Sequence, residues 1–477
     1  MTSGMAKIVI ASNRGPIAFH RDDDGRVTES RGGGGLVSGL AAVRSEGATV
    51  WVCAALSDDD RAVAASAPAG RLDRAGHDTG GAVRMLPIEP ATYEAAYNVV
   101  SNTTLWYLHH GLIDNANPPD YENAEWRRAW TGYVDYNTEF ADAVAEEAAP
   151  GARVLAQDYH LTLLPELLRS RRPDVRIGLF THTPWSTPEN FALLPDDVAR
   201  ALLTGMLGAD TLGFHSPRWA KDFIACCARL LDVDHDDSSV RHGGRTTAVR
   251  IYPLGVDPEP LLERAAQPDV AADRDALKAE LADRKAIVRV DRTEPSKNLA
   301  RGLEAFRRLL DDHPEHRQHV VHVAMAYPSR QDIADYRDYT AYVEDLAKLI
   351  NAELGTAGWT PVELQVRNDY AESLAVLGAG DVVLVNPVRD GMNLVAKEAI
   401  VLTDDAVLVL SREAGAADEL GGAALLVDPY DVAATAQALH DALVMPEAER
   451  TRRHAELRKA AIAMPPHEWL AAQLADL

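Results

Sequence analysis

Residues 381–402 read DVVLVNPVRDGMNLVAKEAIVL. After Asp381 the run to Val385 is apolar throughout rather than alternating, the pattern of a strand buried on both faces of a parallel sheet. A loop containing Asn386, Pro387 and Gly391 follows, and 393–402 then carries a helical pattern. Strand, loop and helix in that order form the repeating unit of a doubly wound α/β sheet.

The same unit recurs along the chain. Strands are predicted at 7–12, 49–54, 153–156, 176–181, 210–214 and 247–252. A second series is predicted at 286–290, 319–325, 362–366, 381–385, 406–410 and 423–427. Helical patterns fall at 136–148, 160–171, 298–311, 331–351, 370–378, 393–402 and 431–443. The segment YPLGVDPEP at 252–260 and a charged, Ala-rich helix after it interrupt the series once. A boundary at about residue 254 gives two Rossmann-like domains, 1–253 and 254–455, expected to face each other across a cleft. Ligands of such sheets are expected at the carboxyl ends of the strands.

With 48 Lys and Arg against 72 Asp and Glu, the formal net charge is −24. Such a chain is a poor electrostatic partner for nucleic acid or an anionic membrane, and neither is expected as a partner. An anionic ligand must be met by local cations set against the general field. No apolar run approaches the ~18 residues of a membrane span, and no signal-peptide pattern opens the chain. The three cysteines, Cys53, Cys226 and Cys227, have no disulfide or metal-ligand spacing. A cytoplasmic location is expected, with no metal and no cofactor. The acidic runs Asp22–Asp24 and Asp58–Asp60 read as solvated loops.

Chemically useful residues collect just after the predicted strands. The first strand runs into Ser12-Asn13-Arg14-Gly15-Pro16. The glycine run 32–35 precedes a helix and lets backbone N–H groups approach a phosphate; the alternative is a hairpin tip. Asp158 and His182 follow two strands of the first half; the alternatives are a helix N-cap and a hydrogen-bonded core histidine. In the second half Arg292 and Lys297 bracket a turn ahead of a helix, a seat for a diphosphate unless both are surface charges. Gly391 permits close approach of a ligand. Leu394 and Val395 open a helix with orphan N–H donors, and Glu398, one turn on, suits the vicinal hydroxyls of a ribose unless it is an ordinary exposed helix residue.

The motifs ASNRGP (11–16), GGGGL (32–36), SNTTLW (101–106), QDYHLTLLPELLR (157–169), HTPWSTPENFALLP (182–195), YPLGVDP (252–258), DRTEPSKN (291–298), YPSRQD (327–332) and RDGMNLVAKE (389–398) occur in that order. On them the chain resembles the trehalose-6-phosphate synthase family of retaining, two-Rossmann (GT-B type) glycosyltransferases. The resemblance implies glucose transfer from a nucleoside diphosphate glucose to glucose 6-phosphate. It implies that C-terminal helices from about 456 to 477 cross back to the first domain, and it leaves a homo-oligomer possible. Carried over by position, Arg292 and Lys297 would grip the diphosphate, with N–H groups of Leu394 and Val395. Asp390, with Gly391, Met392 and Asn393 beside it, would hold donor glucose, and Glu398 the ribose. His182 would contact the donor sugar near the reacting centre, and Gly35 belongs to a loop that closes on the donor phosphates. Arg14, Tyr97 and Arg330 match acceptor-phosphate contacts, and Trp106 and Asp158 acceptor-sugar contacts. The family implies front-face attack with no carboxylate nucleophile.

Three departures stand out. Gln157 replaces a common His, and His182-Thr183-Pro184-Trp185 replaces a more apolar pattern. The segment 363–370, which would cradle the base, carries Arg367, Asn368 and Asp369. Those side chains could read guanine, or face solvent while the backbone reads the base. UDP-glucose is the family default and GDP-glucose the competitor. A pseudo-glycosyltransferase coupling cyclitols and a non-catalytic trehalose 6-phosphate sensor are the competing readings.

Overall fold

A computed structural model describes residues 5–22, 24–31, 49–113 and 119–477. The chain divides into two units: 1–253 with 466–477, and 254–465.

The strands of the first unit are β1 (Ala6–Ser12), β2 (Ile17–Arg21), β3 (Val27–Arg31), β4 (Thr49–Ala54), β5 (Ala82–Leu86), β6 (Ala148–Gln157), β7 (Arg176–Thr181), β8 (Thr211–Phe214), β9 (Asp234–Asp236), β10 (Ser239–His242) and β11 (Arg245–Ile251). Among the described residues the main sheet has the order β5-β4-β1-β6-β7-β8-β11-β10-β9. It is parallel from β5 to β11 and antiparallel through β10 and β9. β2 and β3 form a separate antiparallel pair. Val9, Ile10 and Ala11 of β1 and Val154, Leu155 and Ala156 of β6 are fully buried, as helices on both faces of a parallel sheet require.

The second unit holds β12 (Lys285–Arg292), β13 (Val320–Tyr327), β14 (Val362–Val366), β15 (Val382–Val385), β16 (Val407–Ser411) and β17 (Leu425–Val427), all parallel in the order β14-β13-β12-β15-β16-β17. The helix Leu299–Asp312 shows how its layers form: Leu299, Leu303, Phe306 and Leu310, three or four residues apart, make one buried face.

Each predicted strand lies on an observed one; 49–54, 176–181 and 362–366 match end for end, and the others have one or both ends moved. The sequence reading missed β2, β3, β5, β9 and β10. β5 is interrupted by Arg84, and β9 is exposed and polar, so neither shows a continuous apolar run. The β10–β11 hairpin turns through Gly243 (φ +58) and Gly244 (φ +77), a pair whose left-handed backbone suits a tight hairpin and which was a legible signal. The return to the first unit begins at Pro466 rather than about 456. Glu447–Ala461 stays in the second unit, where Arg458 donates to the Val401 carbonyl (2.9 Å) and Thr403 meets His454 (3.2 Å). Only Pro466–Leu477 returns: Trp469 donates to the Tyr252 carbonyl (3.1 Å), and the Leu474 carbonyl accepts from Arg153 (3.2 Å).

In each sheet the strand order reverses at one place, between β1 and β6 in the first and between β12 and β15 in the second. Loops leaving adjacent strands diverge there and open a crevice at their carboxyl ends.

Candidate active site

The candidate residues beside β1 and β6 and those beside β12 and β15 form two clusters, one at each reversal, whereas Arg367, Asn368 and Asp369 follow β14 at the edge of the second sheet. In the second unit β12 ends at Arg292 and a turn leads to Asn298, whose φ is +62, before the helix Leu299–Asp312 begins. β15 ends at Val385, and its loop leads to Asn393 (φ +75), the cap of the helix Leu394–Leu402. Asn393 Oδ1 accepts from the Ala396 N–H (3.2 Å). The N–H groups of Leu394 and Val395 open the first helical turn, where no intrahelical acceptor exists.

Lys297 Nζ meets Asp390 Oδ2 at 2.5 Å, and Asn393 Nδ2 donates to the same oxygen at 3.0 Å. Two residues expected to take separate roles, one on phosphate and one on sugar, are thus an ion pair. Arg292 Nη1 lies 2.7 Å from Glu294 Oε1, and Arg330 Nη1 3.5 Å from the same atom. Burial would raise the Glu294 pKa, but Arg292, Arg330 and Lys297 outweigh it and hold the carboxylate down at about 2. Arg330 Nη1 also donates to the Tyr336 hydroxyl (2.7 Å), and its guanidinium lies over that ring. Arg330 therefore sits on the second unit's cation cluster, sharing Glu294 with Arg292. The loop 390–392 is braced from below: Gly415 N–H donates to Asp390 O (3.0 Å) and Ala416 N–H to Met392 O (2.8 Å).

Glu398 is half-buried, and burial pushes its carboxyl up to about 7. Arg367 is exposed and ion-paired to Glu372 (Nε–Oε2 2.7 Å), and Asn368 is exposed. Asp369 spends its side chain capping the helix Tyr370–Leu377, accepting from Glu372 N–H at 3.0 Å.

Sequence reasoning missed Glu294 and Arg289. Arg289 lies fully buried inside β12. Its Nε donates to Asp291 Oδ2 (3.0 Å), Nη1 to Asn386 Oδ1 (2.6 Å) and Nη2 to the Lys297 carbonyl, so one guanidinium ties the β12 turn to the β15 loop. The signal was a lone Arg within the apolar run AIVRV, which counts as a lapse in pattern unless its hydrogen-bond demand is asked after.

In the first unit the groups are mostly neutral. At the end of β1, Asn13 is buried and accepts from the Tyr136 hydroxyl (2.6 Å), while Arg14 is exposed. A Cβ on Gly15 would lie 2.4 Å from Cys53 Sγ, so only glycine lets the chain turn here and leave Arg14 at the surface. At the end of β6, Asp158 has φ +72 and ψ 170, a backbone region that non-glycine residues hold only under constraint. Its side chain makes no cap bond; Oδ1 accepts from the His182 N–H (3.1 Å), which rules against the N-cap alternative. The His182 ring meets Gln157 Oε1 (2.9 Å) and packs among Phe180, His215 and Trp469. Burial pushes its pKa down to about 3, so it is neutral at physiological pH.

Tyr97 lies in a π-helical run, Ala95–Leu105, that no sequence pattern disclosed. Such runs are rare and concentrate at functional sites. Its ring is stacked between Tyr93 (5.1 Å) and His160 (5.6 Å). Trp106 is buried and stacked on His110 at 4.1 Å. Gly35 and the rest of the glycine run lie outside the described residues. No described helix is long and apolar enough to cross a membrane.

The model of glycosyltransferase family 20 matches residues 6–477. The UDP-forming alpha,alpha-trehalose-phosphate synthase A of Dictyostelium discoideum is 31% identical across 98% of this chain, which spans 62% of that protein's length. The UDP-forming enzyme of Schizosaccharomyces pombe is 34% identical across 94% of this chain and 86% of its own. An E. coli trehalose-6-phosphate structure bound with UDP-2-fluoro glucose superposes with a TM-score of 0.86, 30% identity and 98% coverage of both chains. Because the match runs through both units and both clusters, the chain belongs to glycosyltransferase family 20, the trehalose-6-phosphate synthase family.

Proposed function

We propose that this chain transfers glucose, with retention at the anomeric carbon, from a nucleoside diphosphate glucose to glucose 6-phosphate, giving α,α-trehalose 6-phosphate and a nucleoside diphosphate. The observation that carries the reading is the meeting of Arg292, Lys297 and a helix N-terminus at one strand reversal, in a chain whose net charge of −24 otherwise repels phosphates.

Arg292, Lys297 and the N–H groups of Leu394 and Val395 receive the diphosphate, with the Gly35 loop closing on it. Asp390 and the Gly391 N–H hold glucose hydroxyls, Met392 and Asn393 shape that loop, and Glu398 accepts from the ribose. Arg14, Tyr97 and Arg330 take the acceptor phosphate, and Trp106 and Asp158 its sugar. Neutral His182 contacts the donor sugar without adding charge beside an oxocarbenium-like centre. The acceptor attacks from the face the diphosphate leaves, and the departing phosphate oxygen takes the acceptor's proton. Positioning and stabilisation of the leaving charge then supply the rate, with the cations in the place of a metal.

We assign UDP-glucose as donor. The relatives named above are UDP-forming. Here Arg367 is engaged by Glu372 and Asp369 by its own helix, which leaves the backbone of this segment to read the base. The test incubates the chain with glucose 6-phosphate and UDP-, GDP- or ADP-glucose in parallel and follows the anomeric protons of the product by NMR. Trehalose 6-phosphate formed fastest from UDP-glucose is expected. A preference for GDP-glucose overturns the donor assignment, and trehalose 6-phosphate from none of the three overturns the function.

A further inference from the structure

The helix Leu299–Asp312 ends at His313, and a tight turn, Pro314–His316, leads into the start of β13. This is the amino-terminal side of the strands, away from the loops that follow β12 and β15. The helix Val432–Val444 passes the same place, and Lys285 at the start of β12 donates to its Leu443 carbonyl (2.6 Å). His440 of that helix faces the turn.

We propose that His313, Glu315, His316 and His440 bind one divalent transition metal of the zinc type, at a site separate from the sugar-nucleotide cluster. Ligand atoms of His313, Glu315 and His440 all lie within 4.8 Å of one another. His316 Nε2 lies 3.0 Å from His440 Nδ1, close to the ~3.3 Å between nitrogens at a tetrahedral zinc with bonds of about 2.0–2.1 Å. The spacing has a local cause. In a 3-10 turn residues three apart eclipse, so His313 and His316 fall on one side, with ring centroids 6.2 Å apart. Imidazole with carboxylate suits zinc, cobalt or nickel far better than calcium or magnesium.

Two further features favour a cation here. A helix ends at His313, and its last carbonyls present the negative end of the dipole. His316 is buried, so its ring is held in place and shielded from competing water. The His313 and His440 rings are stacked, with centroids 3.6 Å apart and planes at 13°. Parallel rings cannot aim at one ion, so binding turns the half-buried His313 ring out of the stack. The bound ion would cross-link the end of one helix to the flank of another, a structural role.

The experiment titrates Co²⁺ into the chelator-treated full chain. One equivalent should give visible d–d absorption of low-symmetry nitrogen and oxygen coordination, and Zn²⁺ should displace it and raise the melting temperature. His313→Gln and His440→Gln, both at partly exposed positions, should each weaken Co²⁺ binding at least tenfold while circular dichroism stays unchanged. His316→Gln adds the buried ligand, and if it fails to fold the other two variants carry the test. Absence of d–d bands in the wild type overturns the proposal. So does a band whose affinity survives in both partly exposed variants, since the metal would then lie on other histidines.

Discussion

Around β12 and β15 the polar groups are charged and hold one another: Lys297 with Asp390, Arg292 and Arg330 with Glu294, Arg289 with Asp291. Around β1 and β6 they are mostly neutral and held by rings. Tyr97 is clasped by Tyr93 and His160, Trp106 lies on His110, and His182 sits among Phe180, His215 and Trp469. One cluster is a charge network that a dianionic leaving group can enter by replacing an internal counter-ion. The other is a shaped wall suited to a sugar's faces. Removing one charge from the first leaves its partner buried and uncompensated, whereas the second answers chiefly to changes of shape and to its exposed cation, Arg14.

The largest effect expected is on folding. Arg289→Met should destabilise the chain by about 3–5 kcal/mol, because Asp291 is left buried beside two unbridged loops. Urea melts of this variant, alone and with Asp291→Asn, measure the cost and the part that the second change restores. A loss below 1 kcal/mol would mean that the charge network does not organise this cluster. Next, Lys297→Ala should lower kcat about 10²–10³-fold and leave the acceptor KM nearly unchanged, since its charge matters most as the diphosphate departs. Unchanged turnover with only a raised acceptor KM would remove Lys297 from the donor side.

Arg14→Ala and Arg330→Ala should each cost ~2–4 kcal/mol in kcat/KM for glucose 6-phosphate and almost nothing for glucose, itself a very poor acceptor. Wild-type indifference between the two acceptors would break the idea that local cations select the phosphate.

Glu398 gives a smaller effect with a definite sign. Its pKa rises from 4.5 to about 7 on folding. Between those values the native state keeps a proton that the unfolded state has released, so its contribution to stability falls as pH rises through that window. Glu398→Gln should therefore gain on the wild type from pH 5 to pH 8, by about 1–3 kcal/mol, while its donor KM rises. Equal melting-temperature differences at both pH values would contradict the raised pKa. Smallest of all, initial rates should be unchanged in excess EDTA; abolition reversed by Mg²⁺ would bring a metal into the donor cluster.

The parallel strands were legible because both their faces are buried, which writes them as unbroken apolar runs such as DVVLV and HVVHVAM. The positions of Asp158, His182, Lys297 and Asp390 were legible for a related reason: a parallel sheet gathers chemistry at its carboxyl edge. Partners were not legible. Lys297 and Asp390 are 93 residues apart in sequence, and His316 and His440 are 124 apart. Nothing local in either segment encodes the other. The π-helical run at 95–105 was hidden because its apolar residues fit an α-helical period poorly, and packing rather than propensity fixes it. Arg289 was hidden by the opposite fault, a strand pattern strong enough to absorb one discordant residue.

The helix Pro466–Ala475 has a consequence for the order in which the protein is made. Trp469 completes the apolar wall behind His182 and bonds the Tyr252 carbonyl, yet it is translated after all of 254–465. A nascent chain can finish the second unit as one continuous segment while the first still waits for its last helix. During that interval Phe180 lacks the Trp469 edge contact and Tyr252 lacks its carbonyl's indole donor. At ordinary rates of synthesis the wait lasts on the order of ten to forty seconds. The first unit, although begun first, can be completed only after the last residue of the second has been made.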